Sequence, residues 1–265
     1  MSYYVRGEEG VHVSNVSIIK YPEVTAMVKR TKTTILFPVY AVILMFTIVI
    51  AIVSSHMVTV VNQQLSIPKR TCVIIDAGHG GVDCGATSCT GTPESTINLQ
   101  IAKRLDALLH LFGIKTVMVR TQDISVYTEG TTIATQKVSD LKRRVAITEE
   151  NEAALLISIH QNYFHDARYD GAQVFFAPTD GSKHLAESLQ DAFVHTLNPG
   201  SNRTAKKASG IYLMEHISCT GILVECGFLS NPAEEAKVRS EPYQLKICSI
   251  LAAQTSQYLH SKVFA

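Results

Sequence analysis

Apolar and polar positions follow two rhythms in this chain, and from residue 71 onward the rhythms alternate. "CVIID" (72–76) is a continuous apolar run ending on an acid, the pattern of a strand buried on both faces. Ile97, Ile101, Leu105, Leu108 and Phe112 then recur at helical spacing, which predicts a helix over 95–112 stopped by Gly113. "IKTVMVR" (114–120) predicts a strand, and "VSDLKRRVAITEEN" (138–151) a helix with Leu141, Val145 and Thr148 turned inward. "ALLISIH" (154–160) predicts a second fully buried strand, and "GAQVFFAP" (171–178) a third interior one. Residues 182–197 form an amphipathic pattern with Leu185, Leu189, Ala192 and Phe193 on one side. "GIYLM" (210–214) and "TGILVEC" (220–226) predict two more strands, and 244–259 a closing helix. Such alternation predicts an α/β domain with a largely parallel sheet between helices, a class in which ligands bind beyond the carboxyl ends of the strands.

The N-terminal part has a different pattern. Residues 35–53, "ILFPVYAVILMFTIVIAIV", carry no charge, and a membrane helix needs about 20 such residues. Lys29, Arg30 and Lys32 precede the run, which predicts an inside N-terminus and an outside C-terminus. A cleaved signal peptide is the rival, but its apolar region is about 7–15 residues long after a short basic leader. Here 34 residues come first, and an uncleaved single-pass anchor is expected. The expected organisation is a short cytoplasmic tail (1–34), a membrane anchor (35–53), a stalk (54–70) and an outer domain (71–265) outside the cytoplasm.

Charge and cysteine content narrow the field. Lys plus Arg is 24 against 23 for Asp plus Glu, a net charge of +1 that leaves no basic footprint for nucleic acid. Among the six cysteines, Cys72, Cys226 and Cys248 sit in apolar runs and read as core. Cys84 and Cys89 are near enough in sequence to pair, though spacing does not establish it; no C-x-x-C occurs to suggest a zinc knuckle.

Candidate chemistry collects at strand ends. His79 follows the strand at 72–76, His160 ends the strand at 154–160, and Glu225 ends the apolar run from 220. Glu94 stands at the far end of the glycine-rich loop that begins at His79, and that loop must fold back to bring the two together. Two histidines and a carboxylate, here His79, His160 and Glu94, are a common catalytic zinc set that leaves a coordination position open for water. A second carboxylate is then needed to move the proton, and Glu225 is free for it. Plainer readings exist. Glu94 alone could be an acid favoured by a helix N-terminus, and a loop histidine is more often a hydrogen-bonding group than a ligand. Glu225 resists the plain reading, because an acid in so apolar a run costs several kcal/mol unless paired or coordinated. Asn98, Arg120, Arg143, Arg144 and Asn162 either contact substrate or brace the sheet, and bracing or surface pairing is expected of the arginines. "GHGGVDCGA" lacks the glycine spacing of either common nucleotide-binding loop.

The motifs "IIDAGHGGVDCGA", "ESTINLQIAKRL", "VMVRTQD", "LKRRVAI", "LLISIHQN", "GAQVFF" and "ILVECGFLSNPAE" occur in the order found in zinc-dependent N-acetylmuramoyl-L-alanine amidases. The resemblance spans residues 71 to 260; with "GIYLMEH", "NRTAKKASG" and "VSDLKRR", it is most similar to the germination-specific branch that acts on spore cortex. The resemblance implies a mixed sheet sandwiched by helices, a Zn2+ ion held by His79, Glu94 and His160, and Glu225 as the catalytic carboxylate. It implies hydrolysis of the amide between muramic acid and L-alanine in peptidoglycan, on the route to muramic-δ-lactam. Implied partners are glycan strands with stem peptides, and the membrane through the N-terminal helix; a protein activator is not legible. Departures from the family pattern include Ala77, where proline is usual, and Gln161. A zinc peptidase cutting stem peptides, or a tethered wall-binding protein with a relict site, would carry similar residues.

Overall fold

The computed structural model describes residues 40–52, 72–152 and 154–263. The chain divides into two compact units, Met1–Val61 and Asn62–Ala265. In the first, residues 40–52 form helix α1, with exposed side chains. The span expected at 35–53 passes the described residues at both ends, and among the described residues no helix is long and apolar enough to cross a membrane. The expected tail (1–34) and stalk (54–70) lie outside the described residues.

The second unit is built on a six-stranded sheet. Its elements in chain order are β1 (Cys72–Ala77), α2 (Glu94–Leu111), β2 (Lys115–Met118), α3 (Ile133–Glu150), β3 (Leu155–Asn162), β4 (Gln173–Phe176), α4 (Ser182–Thr196), β5 (Lys206–Lys207), α5 (Tyr212–His216), β6 (Thr220–Phe228), α6 (Pro232–Arg239) and α7 (Glu241–Val263). The strand order is β2-β1-β3-β6-β4-β5. β2, β1, β3 and β6 run parallel, β4 runs antiparallel to β6, and β5 follows β4. The sheet is therefore mixed and largely parallel, as the alternation and the resemblance lead one to expect.

Period-2 geometry sorts the strand residues onto two faces. Val73, Ile75, Ala77, Leu155, Ile157, Ile159, Ile222 and Val224 point into the larger core cluster, with Ile97, Ile101 and Leu105 of α2, Leu185 and Leu189 of α4, and Ile247 and Leu251 of α7. Each such side chain, fully buried, contributes roughly 1.5–3 kcal/mol. Ile74, Leu156 and Leu223 point the other way and meet Leu213 and Met214 of α5, with Val145 and Ile147 of α3 packed alongside.

One expected element is corrected. "GIYLM" (210–214) is not a strand: Tyr212–His216 is helix α5. A short apolar run does not by itself distinguish a strand from a buried helical turn. Here both sides of β6 are already taken by β3 and β4, so no place in the sheet remains beside it. Gly210 turns the chain at φ 72°, and its N–H donates to the Glu215 carboxylate at 2.7 Å. The Tyr212 and His216 rings stack one helical turn apart, with centroids 3.8 Å apart. Other elements go beyond the expected pattern. α6 begins at an Asn231 cap followed by Pro232, a helix start signal in its own right. α3 begins five residues before the expected 138, at a Thr132–Thr135 capping box.

Candidate active site

The C-terminal ends of β1, β3 and β6 lie side by side, and each delivers chemistry. β1 runs into the loop carrying His79, while His160 of β3 pairs in register with Glu225 of β6. Glu94 opens α2, and the loop between His79 and Glu94 folds back on itself. The Glu94 N–H donates to the Ala86 carbonyl at 2.8 Å, the Ser95 N–H to the Cys84 carbonyl at 3.1 Å, and the Ala86 N–H to Glu94 Oε2 at 2.9 Å.

The result is a compact cluster. His79, Glu94 and His160 each present a ligand-capable atom, and these atoms lie within 4.8 Å of one another. His160 Nδ1 is 3.0 Å from Glu94 Oε1, and His79 Nε2 is 3.4 Å from Glu94 Oε2. Two residues unassigned in the sequence complete the orientation of His79. Asp83 Oδ2 sits 3.0 Å from His79 Nδ1, and Lys137 Nζ sits 2.9 Å from Asp83 Oδ1. A carboxylate on the far nitrogen fixes the tautomer and turns the near nitrogen toward a shared centre, as behind metal-binding histidines generally. An acid four residues after the histidine, on a glycine-rich loop, was the available signal.

Glu94 is buried and held from several sides. Asn98 Nδ2 and the Gln161 N–H each donate to its Oε1 at 3.1 Å, and Gln161 Nε2 in turn donates to Asn98 Oδ1 at 3.2 Å. Burial pushes its carboxyl upward, but the His160 hydrogen bond and the charge of both imidazoles outweigh that and bring it down to about 2. Glu225 behaves oppositely. Burial dominates there, and although His160 pulls the other way the carboxyl is raised to about 7. Its Oε2 is buried with no hydrogen-bond partner among the described residues. Unequal environments that push two carboxyls apart mark acid–base sites.

The donor set fits a zinc-like ion. Two imidazoles and one carboxylate suit zinc and leave coordination open. Glycine makes the room: a Cβ at Gly85 would lie 2.6 Å from Glu94 Oε2, and one at Gly78 would collide with His160 Nε2. The cluster borders a cleft of about 380 Å³ lined by His79, His160, Glu225, Ile211, Leu213 and Leu223, among others.

Buried arginines hold the rim. Arg144 pairs with Asp76 and donates to the Ala77 carbonyl at 3.1 Å and the His79 carbonyl at 2.8 Å. Arg120 donates to the carbonyls of Ala77 (2.8 Å), Gly78 (3.0 Å) and Ser95 (2.8 Å). Asn98 Nδ2 adds a bond to the Gly78 carbonyl at 3.2 Å. The loop after β1 thus has its carbonyls satisfied by side chains where no strand can do it. Ser158 Oγ donates to the other Asp76 oxygen at 2.6 Å. Burial pushes Asp76 up, but Arg144 and Ser158 prevail and hold its carboxyl below the usual range. Arg143 instead faces outward and pairs with Glu150 at 2.7 Å. All six cysteines are unpaired; Cys72, Cys226 and Cys248 are buried, while Cys84 and Cys89 are exposed.

Known proteins resemble this chain. The Amidase_3 family profile, described as N-acetylmuramoyl-L-alanine amidase, matches residues 73–254. The chain is 34% identical over 192 residues to the germination-specific N-acetylmuramoyl-L-alanine amidase of Bacillus subtilis, a match covering 72% of this chain and 80% of that one. Among solved structures it is similar to the CwlD amidase of Clostridioides difficile, solved in complex with the GerS lipoprotein. That match has a TM-score of 0.68 and 34% identity, and covers 71% of this chain and 98% of that one. The N-acetylmuramoyl-L-alanine amidase of Clostridium difficile 630 follows with a TM-score of 0.64 and 31% identity, covering 72% of this chain and 98% of that one. With the profile spanning the sheet and every residue of the cluster, the chain belongs to the N-acetylmuramoyl-L-alanine amidases, hydrolases of peptidoglycan.

Proposed function

We propose that this protein is a zinc-dependent amidase of spore-cortex peptidoglycan, with His79, Glu94 and His160 as metal ligands and Glu225 as the catalytic carboxylate. The observation that carries the reading is the gathering of three ligand-capable side chains within 4.8 Å, beside a carboxylate whose Oε2 is buried without a partner. Bound there, zinc supplies Lewis acidity toward a carbonyl oxygen and toward water. Asp83 keeps the His79 ring turned with Nε2 inward, and Arg120, Arg144 and Asn98 keep the loop that carries it in place. Glu225 takes a proton from the attacking water as the new C–O bond forms, and passes it to the L-alanine nitrogen as the C–N bond breaks. A carboxyl raised to about 7 suits both halves of that transfer near neutral pH. Ile211, Leu213 and Leu223 give the cleft an apolar wall against which the carboxylate stays poorly solvated.

The cortex assignment is supported by the likeness to a relative named germination-specific. Placement outside the cytoplasm on a single-pass anchor at 35–53 is supported by the uncharged run and its basic flank. A protein partner is supported by the similar amidase solved together with a lipoprotein. The test is mass spectrometry of muropeptides from cortex incubated with the detergent-solubilised full chain, with and without added zinc. Zinc-dependent release of intact stem peptides with a free N-terminal alanine is expected. Cuts inside the peptide would replace the reading with a peptidase, and polymer binding without any release would replace it with a tethered binder.

A further inference from the structure

A second cleft, of about 630 Å³, opens beside β4 and is lined by Tyr169, Gln173, Asn198, Arg203, Thr204 and Lys206, with Asp170 its one acid among the lining residues. Register relates it to the first. Gln173 pairs with Glu225 across the β4–β6 ladder. A register shift between His160 and Asn162 brings Asn162 opposite Phe228. Asn162 lies two residues from His160 and so shares its face, which puts Phe228 on the face of His160 and Glu225 as well. The Arg203 guanidinium lies over the Phe228 ring, 5.2 Å from its centroid.

The bonding of Arg203 is unusual for a half-buried cation. Its Nε and Nη2 donate to the Asp170 backbone carbonyl at 3.1 and 2.7 Å, and its Nη1 donates to Gln173 Oε1 at 3.2 Å. Every acceptor is neutral, and no carboxylate among the described residues pairs with it. Arg120 and Arg144 also bond to backbone carbonyls, but those two are buried under the rim, whereas Arg203 borders open cleft. Nearby Lys206 and Lys207 are exposed and likewise lack an ion pair among the described residues. A guanidinium fixed by neutral acceptors and an aromatic face keeps its charge available for a ligand's carboxylate.

The stem peptide supplies that charge. Beyond the L-alanine nitrogen it carries free carboxyl groups, whereas an unmodified N-acetylhexosamine ring carries none. Across the register shift, Glu225 and Phe228 stand opposite His160 and Asn162, two regular steps of β3 apart, roughly 7 Å at about 3.3 Å each. An extended peptide covers about 3.3–3.6 Å per residue, so two residues span that gap and a third reaches the guanidinium over the Phe228 ring. We infer that Arg203 is a specificity-determining residue that binds a stem-peptide carboxylate two or three residues from the scissile amide, so that the peptide runs from Glu225 past Phe228 into the cleft beside β4. The inference rests on the placement of the reacting amide at Glu225 proposed above.

The test uses steady-state kinetics of the full chain loaded with zinc on two synthetic N-acetylmuramoyl peptides of one sequence. One has its carboxyl groups free, and the other has them amidated. Arg203→Gln is expected to raise KM for the free-acid substrate about tenfold or more, the worth of a charged hydrogen bond, with kcat within about twofold. The same variant is expected to cut the amidated substrate as the unaltered protein does, which also reports that it is folded. Arg203→Lys is expected to recover part of the loss. An equal loss on both substrates, as a structural or glycan-binding role would give, overturns the inference, and so does an unchanged KM on the free acid. Failure of the unaltered protein to cut either substrate overturns the active-site reading itself and removes the inference with it.

Discussion

The two faces of the sheet solve different problems. The face toward α2, α4 and α7 is apolar through its centre, from Val73 to Val224, and its layers are linked by packing. The face toward α3 and α5 holds Asp76, Arg144 and Ser158 in a buried polar network, and His160 and Glu225 project from it at the rim. Buried ions cost desolvation that their mutual attraction only partly offsets, so such a network is weak evidence for stability. What it provides here is geometry: the loop bearing His79 hangs from Arg144 and Arg120 rather than from a neighbouring strand. Both faces carry an apolar core, and the one toward α3 and α5 also gives up some stability to hold reacting groups still.

This contrast can be broken experimentally. The largest effect is expected for Glu225→Gln, which should cut turnover by about 10²–10⁴-fold while zinc content and melting temperature hold or rise; a variant with normal turnover would strip Glu225 of its role. Next is Arg144→Leu, which strands the Asp76 carboxylate and should cost about 3–5 kcal/mol in chemical denaturation. The same pair has a pH signature. Because the Asp76 carboxyl is held below its ordinary value, its contribution is complete above about pH 4 and is lost as pH falls through the lower folded value. Asp76→Asn should flatten that acid limb of the stability curve, and an unchanged limb would assign it to other groups. Asp83→Asn comes third, with zinc affinity weakened about 10–100-fold in a chelator competition and little change in unfolding. The smallest change belongs to the apolar face, where Ile157→Val should cost about 0.5–1.5 kcal/mol and leave kcat/KM alone. A clear loss of activity from that methyl would mean that the two faces are not separable.

Much of this was legible in the pattern of residues, and the exceptions have physical causes. β1, β3 and β6 were plain because parallel strands buried on both faces read as unbroken apolar runs. His79, His160 and Glu225 stood out because each interrupts or follows such a run. Glu94 needed the loop to fold back, which the glycines permitted but did not dictate. Asp76 and Arg144 stand 68 positions apart, and no local pattern announces that a helix will drop its arginine onto that acid. The helical state of α5 is not legible locally because its burial comes from packing against β6 and α3, a relation that a five-residue window does not contain. The setting of Arg203 is hidden more deeply, since the Phe228 ring it covers is placed by a register shift between β3 and β6.

The pairing of His160 with Glu225 has a consequence for folding. Sliding β6 by a single residue against β3 would turn its acid into the oily layer and expel Val224 to the cleft. Such a chain would lose its apolar packing together with its carboxylate. A correctly packed sheet and a correctly placed Glu225 are therefore one event in folding, whereas His79 and Glu94 still depend on the separate closure of their loop.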